Sequence, residues 1–126
     1  MKKIVVVSGA GTSAESGIST FRDANGLWEN HRIEDVASPE GFAKNPELVM
    51  TFYNLRRRQL KDVSPNKAHK ILAELEQYFE VSIITQNVDN LHERAGSTNV
   101  IHLHGELNKV RPVNGFHPIL HWEDDL

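Results

Sequence analysis

The chain of 126 residues contains no cysteine, which excludes disulfides, thiol catalysis and a thiolate zinc site within these residues. Long apolar runs are missing too. Met1-Lys2-Lys3 is followed only by Ile4 to Val7 before Ser8 and Gly9, too short for the apolar region of a signal peptide or for a membrane span. A cytoplasmic location is the default expectation. Charge of one sign is also absent: 14 Lys plus Arg against 17 Asp plus Glu leave a net charge of −3. That balance offers no general attraction for nucleic acid or an anionic membrane, so neither is expected as a partner. No internal repeat or low-complexity tract is present. At 39% hydrophobic and 25% charged residues, the chain can bury one core as a single soluble unit.

What is there begins with an apolar strand, Ile4 to Val7, that runs into Gly9-Ala10-Gly11. Asn45-Pro46 supplies an N-cap and a first-turn proline for a helix through about Lys61, with Leu48, Phe52 and Leu55 on one face. Ser64-Pro65-Asn66 starts a second helix, whose apolar positions Ala68, Ile71, Leu72, Leu75, Tyr78 and Phe79 recur at helical spacing. Val81 to Thr85 reads as a strand, Asp89 to Ala95 as a short helix closed by Gly96, and Val100 to Leu103 as another strand. Between Ser19 and Pro39 no strand pattern appears, and the segment reads as a long loop of the kind that usually serves function. Strands separated by helices predict a parallel α/β sheet with functional loops at the carboxyl ends of its strands.

Residues 9–22 are the most informative stretch. Gly9 and Gly11 lack the Cβ that would keep backbone from approaching a pyrophosphate, and Ala14 stands where helix and strand should pack closely. Amides of a helix beginning near Ser13 would face the phosphates. A tight turn with no ligand is the alternative reading of glycine spacing alone. The full run Gly-Ala-Gly-x-Ser-x-x-Ser-Gly-Ile-x-x-Phe-Arg, ending at Phe21-Arg22, resembles the signature of the sirtuins, the NAD-dependent protein lysine deacylases. Ser19 stands where the family often has proline.

A second cluster strengthens the resemblance. Thr85-Gln86-Asn87-Val88-Asp89-Asn90-Leu91-His92 lies where a strand stops and a helix begins, a position suited to ligands. Taken singly, Asn87 or Asp89 could equally be a helix N-cap. As a run, the segment is similar to the sirtuin stretch in which Gln and Asn orient the ribose and Asp receives the nicotinamide amide. The resemblance thus implies NAD as cofactor, bound by Gly9, Ala10, Gly11, Thr12, Ser13, Ala14, Glu15, Phe21, Arg22, Trp28, Gln86, Asn87, Val88 and Asp89. It implies a Rossmann-like, doubly wound parallel sheet, here truncated and without the family's zinc module. The matching motifs place a partial catalytic domain at residues 1–111 and a tail at 112–126 that does not match.

His102-Leu103-His104-Gly105 ends the last strand, where alternation would send both histidines to one face. A metal pair is one reading, but no third ligand is evident and none is expected. A packed, hydrogen-bonded histidine is the ordinary reading of His102. His104, matching the family's His-Gly, is the expected general base, because imidazole is the side chain suited to take a proton at neutral pH. His31, His69, His92, His117 and His121 attract no such argument. Tyr53 and Arg56, spaced i and i+3 on one helix face, can close on a small anion. They look like the Tyr-x-x-Arg of the sirtuin subgroup that removes succinyl and malonyl groups from lysine, and the run from Gly26-Leu27-Trp28 through Glu40-Gly41-Phe42 and Phe52-Tyr53 resembles the bacterial members of that subgroup.

The expected substrate is therefore acylated lysine on protein. By resemblance, the acyl oxygen displaces nicotinamide from the ribose, Asn87 helps place the reacting partners, and His104 deprotonates the ribose hydroxyl system. The products would be nicotinamide, free lysine and an acyl-ADP-ribose. The competing reading is a truncated nucleotide-binding fragment without turnover, needing a partner and prone to self-association through an incomplete sheet. ADP-ribosyl transfer to protein is a third reading, against which the Tyr53 and Arg56 pair argues.

Overall fold

In the computed structural model, which describes residues 1–18 and 27–126, β1 (Lys3–Ser8), β2 (Glu80–Thr85) and β3 (Val100–His102) form a parallel sheet in the order β1-β2-β3. Parallel neighbours cannot be joined by tight hairpins, so helical crossovers connect them. Between β1 and β2 run α1 (Ala10–Ala14), α2 (Ile33–Val36), α3 (Pro39–Lys44), α4 (Pro46–Lys61) and α5 (Lys67–Glu74), the last passing into a 3₁₀ turn at Leu75–Gln77. The helix α6 (Leu91–Ala95) links β2 to β3, and a short antiparallel ribbon of β4 (Lys109–Val110) and β5 (Leu120–His121) follows. This is the Rossmann-like α/β class that the sequence predicts.

Register sets the two faces of the sheet. Ser8, Val81, Ile83 and Thr85 are buried on the face toward α6. The opposite face pairs Val7 with Ile84 and Ile84 with Ile101. There Val5 is 64% exposed, Val7 72% and Ile101 50%, so among the described residues helices cover one face only.

Several elements differ in detail from the sequence reading. The first helix begins at Ala10, not near Ser13, and Ala14 is exposed rather than packed against the strand. The segment read as a loop before Pro39 contains one helical turn, α2, and α3 then starts behind the Ser38 cap, whose Oγ accepts from Gly41 N at 2.9 Å. The long helix α4 has the predicted start and end, with Asn45 Oδ1 accepting from Leu48 N at 3.2 Å. Its buried face is different: Val49, Phe52 and Leu60 are inside, while Leu55 is 44% exposed. The cause is an aromatic cluster in which Trp28, Val36 and Phe52 form the core, with the Trp28 and Phe52 rings edge to face at 4.7 Å. In α5 only His69 is buried; Ile71 and, beyond the 3₁₀ turn, Tyr78, both on the predicted helical stripe, are exposed.

Gly96 closes α6 in the left-handed region at φ 114°, as its position predicts. The helix starts at Leu91 because Asp89 Oδ1 accepts from Leu91 N at 3.0 Å, which holds the preceding residues outside it. β3 stops at His102, so His104 falls in the following turn, before Gly105 at φ 83°. Strand alternation therefore does not relate the two histidines. Among the described residues, no helix is long and apolar enough to cross a membrane.

Candidate functional site

The carboxyl ends of β1 and β2 meet in a buried polar network. Ser8 Oγ donates to Thr85 Oγ1 at 2.8 Å, and His92 Nε2 lies 2.9 Å from the same Ser8 oxygen. A hydroxyl has one hydrogen, already given to Thr85, so His92 Nε2 is the donor and Nδ1 is bare. Nδ1 has no partner among the described residues. Burial holds the His92 imidazole below its usual range, with the neighbouring His69 adding to the effect. His69 follows the same logic. Asn66 N donates to its Nδ1 at 3.0 Å, so Nε2 carries the hydrogen and points toward Ser13 Oγ at 3.5 Å. Burial also lowers its pKa, against the pull of Asp89. Both histidines are fully buried and neutral.

Ser13 passes the network on. Its Oγ donates to Asp89 Oδ2 at 2.8 Å, while the other carboxylate oxygen takes Leu91 N. Asn87 donates through Nδ2 to Gly9 O at 3.0 Å, with Ser13 Oγ at 3.4 Å, and its amide donates to Thr85 Oγ1 at 3.0 Å. The segment after β2 is thus tied to the turn after β1 by side chains from both.

Above this floor lies a cleft of about 680 Å³. Ala10 and Ser13 contribute from α1, Gln86 to Asp89 from the segment after β2, and His104 from the turn after β3. Trp28, Ile33, Val36 and Tyr53 form an apolar wall. Burial raises the Tyr53 phenol above its usual range, so it stays protonated and able to donate. Of the sequence candidates, the cleft gathers Ala10, Ser13, Trp28, Tyr53, Gln86, Asn87, Val88, Asp89 and His104. Glu15 is exposed and, like Gly9, Gly11, Thr12, Ala14 and Arg56, does not line it. Phe21 and Arg22 lie outside the described residues.

Arg56 is one turn along α4 from Tyr53, over the Phe52 ring at 4.9 Å and 4.0 Å from a Glu29 carboxylate oxygen. Its Nε is buried with no partner among the described residues. The backbone around Gly9 and Gly11 is uncrowded. A Cβ at Gly9 would come no closer than 3.9 Å to a protein atom, one at Gly11 would meet nothing within 4 Å, and Gly9 is in extended backbone that any residue adopts. The space over the turn is open, and a ligand backbone or phosphate can occupy it.

His102 and His104 separate. His104 is exposed in the cleft, whereas His102 turns to Glu93 and Glu106, whose ligand-type atoms lie within 4.8 Å of one another. His102 Nε2 is 2.6 Å from Glu93 Oε2 and Lys109 Nζ is 2.9 Å from Glu106, while Glu93 Oε1 is buried with no partner among the described residues. His69 and His92 are the residues that sequence reasoning passed over. Their roles depend on contacts 56 and 84 residues away along the chain, to Ser13 and Ser8; only the Asn66–His69 capping box was locally readable.

Comparisons with known proteins point to one family. The Sir2 family model matches residues 9–122. A protein of Helicobacter pylori named NAD-dependent protein deacylase is 64% identical over 126 residues, all of this chain and 55% of that protein. A Sir2 homologue solved as a complex with NAD superposes with a TM-score of 0.86 at 48% identity, covering 99% of this chain and 48% of that one. Sir2 bound to an acetylated peptide gives a TM-score of 0.76 at 33% identity, covering 98% and 48%. The chain therefore spans about half the length of the curated relatives it matches. With Ala10 and Ser13, the Gln86–Asp89 segment and His104 lining one cleft, and with a family match over residues 9–122, the chain belongs to the Sir2 family.

Proposed function

We propose that the chain carries the NAD pocket and general base of a cytoplasmic NAD-dependent protein lysine deacylase, with acidic acyl groups among its substrates. One observation supports this most: Ser13, Asn87, Asp89 and His104, from three separate segments, line the same cleft. NAD would supply an electrophilic ribose carbon with nicotinamide as leaving group. Gly9 to Ser13 would hold the pyrophosphate, Gln86 and Asn87 the ribose, and Asp89 the nicotinamide amide. The wall of Trp28, Ile33 and Val36 would exclude water from the leaving ring. His104, free of the buried network, would take the proton from the ribose hydroxyl. The relatives' deacylase name and the neighbour holding acetylated peptide support acyl-lysine as substrate.

Tyr53 would donate a hydrogen bond to the distal carboxylate of a succinyl or malonyl group, and Arg56 would exchange its long contact with Glu29 for that carboxylate. Arg56→Met should lower kcat/KM for a succinyl-lysine peptide at least tenfold more than for its acetyl counterpart. Equal losses on the two peptides would sink the acyl assignment. A second reading is favoured by the exposed apolar row of Val5, Val7 and Ile101: these 126 residues alone bind the nucleotide weakly, self-associate through that face, and need a covering partner for turnover.

A further inference from the structure

His102 takes no part in the steps above, yet its side chain is only 4% exposed and makes more polar contacts than any step requires. Its Nδ1 is 2.8 Å from Asn87 O, and its Nε2 is 2.6 Å from Glu93 Oε2 and 3.6 Å from Glu106 Oε1. A backbone carbonyl and a carboxylate can only accept hydrogen bonds, so both ring nitrogens must be donors. Only the imidazolium provides two N–H groups. We propose that His102 is a positioning residue of the deacylase site, an imidazolium that ties the Asn87–Asp89 segment to the turn bearing His104; this rests on the reading given under Proposed function.

The connection is covalently short on both sides. His104 is two residues after His102 and two before Glu106, so the His102–Glu106 pair closes the turn around the general base. On the other side, the His102 bond to Asn87 O and the Leu107 N bond to Val88 O, at 2.9 Å, hold two successive carbonyls of the cleft segment. Asn87 is 8% exposed, so losing its carbonyl's donor leaves a buried acceptor unpaired and free to move its side chain off Gly9 and Ser13. Catalysis is sensitive to displacements of this kind.

The carboxylates facing His102 favour the cation. Glu93 comes from α6, and Glu106, itself paired with Lys109, from the turn; His92, neutral, also faces it from α6. Burial opposes the charge on His102, but the bonds to Glu93 and Asn87 and the two carboxylates outweigh it, and its pKa is raised. Burial likewise raises Glu93, and the His102 bond more than reverses this.

The test uses the wild type, Glu93→Gln and His102→Asn. Glu93→Gln keeps an acceptor for Nε2 but removes the charge, so the alkaline limb of the kcat profile for a succinyl-lysine peptide should move down by about one pH unit. His102→Asn keeps a donor for Asn87 O and should lose the limb while retaining at least about a third of kcat, whereas His102→Ala should lose tenfold or more in kcat with KM for NAD changed less than threefold. An unmoved limb in Glu93→Gln, or equal kcat in His102→Ala and wild type, overturns the proposal. Side-chain ¹⁵N NMR of the wild type reads the same claim without turnover. His102 should show two protonated nitrogens at pH 7, with the Asn87 and His104 amides titrating alongside it. A neutral His102, or amides that ignore its titration, overturns the proposal too. Absence of wild-type turnover with co-titrating amides would instead favour the reading in which these residues need a covering partner for turnover, and leave the positioning role standing.

Discussion

At the scale of the residue, the direction of each proton in the site follows from donors that have no alternative. Asn66 N must donate, so His69 Nδ1 accepts; Ser8 has one hydrogen, so His92 Nε2 donates; two fixed acceptors make His102 a cation. Three histidines within one small region therefore differ in charge, and stability should depend on pH in a definite way. For His69 and His92, lowered in the folded state, the unfolded chain binds protons first, so stability is lost as pH falls below about 6.5. His102 is raised, so its contribution is complete below about 6.5 and is lost as pH rises through its folded value. Glu93 is lowered, so its contribution holds above about 4.5 and is lost only in stronger acid. Urea unfolding between pH 5 and 9 should therefore show a stability maximum near pH 6.5 to 7. A midpoint rising steadily toward pH 5 would mean that the two buried histidines are not neutral.

At the scale of the element, α2 and α3 approach so closely that one position admits no side chain. A Cβ on Gly41 would lie 2.5 Å from Glu34 O and 2.7 Å from Asp35 O, both backbone atoms that cannot swing aside. Gly41→Ala should cost about 1–3 kcal/mol in chemical denaturation, and because α2 supplies Ile33 and Val36 to the cleft wall it should also weaken nucleotide binding. Unchanged stability would mean the two helices are not held at this distance. The main elements were legible because their signals are local: Asn45-Pro46 opens α4, Gly96 closes α6, and the run Val81 to Thr85 marks β2. Burial was less so. Leu55 and Ile71 match a helical stripe but face outward, because the Trp28–Phe52 cluster and the His69 network, both long-range, decide which side turns in. The one-turn α2 lacks the length to declare a period, and His104 left the predicted strand alternation because the chain turns after His102.

At the scale of the whole molecule, the site is one-sided. The polar floor and the cleft sit at the carboxyl ends of the parallel strands, where the sequence motifs place them. Gln86, Asn87, Asp89 and His104 were singled out by motif resemblance in segments that follow strand signals, and they line the cleft; the helical wall opposite was not, since Ile33 and Val36 come from a segment with no pattern of its own. Behind the sheet, Val5, Val7 and Ile101 present an apolar face that nothing among the described residues covers. That face is why competence of these residues for chemistry must be measured separately from their fold. The measurement to make first is mass spectrometry of a succinyl-lysine peptide incubated with the chain and NAD, beside reactions lacking NAD and reactions with His104→Ala. NAD-dependent release of the free lysine peptide together with a succinyl-ADP-ribose, lost in His104→Ala, is the expected result. Desuccinylation that persists without NAD, or at full rate in His104→Ala, would contradict the assignment of this cleft as an NAD-dependent deacylase site.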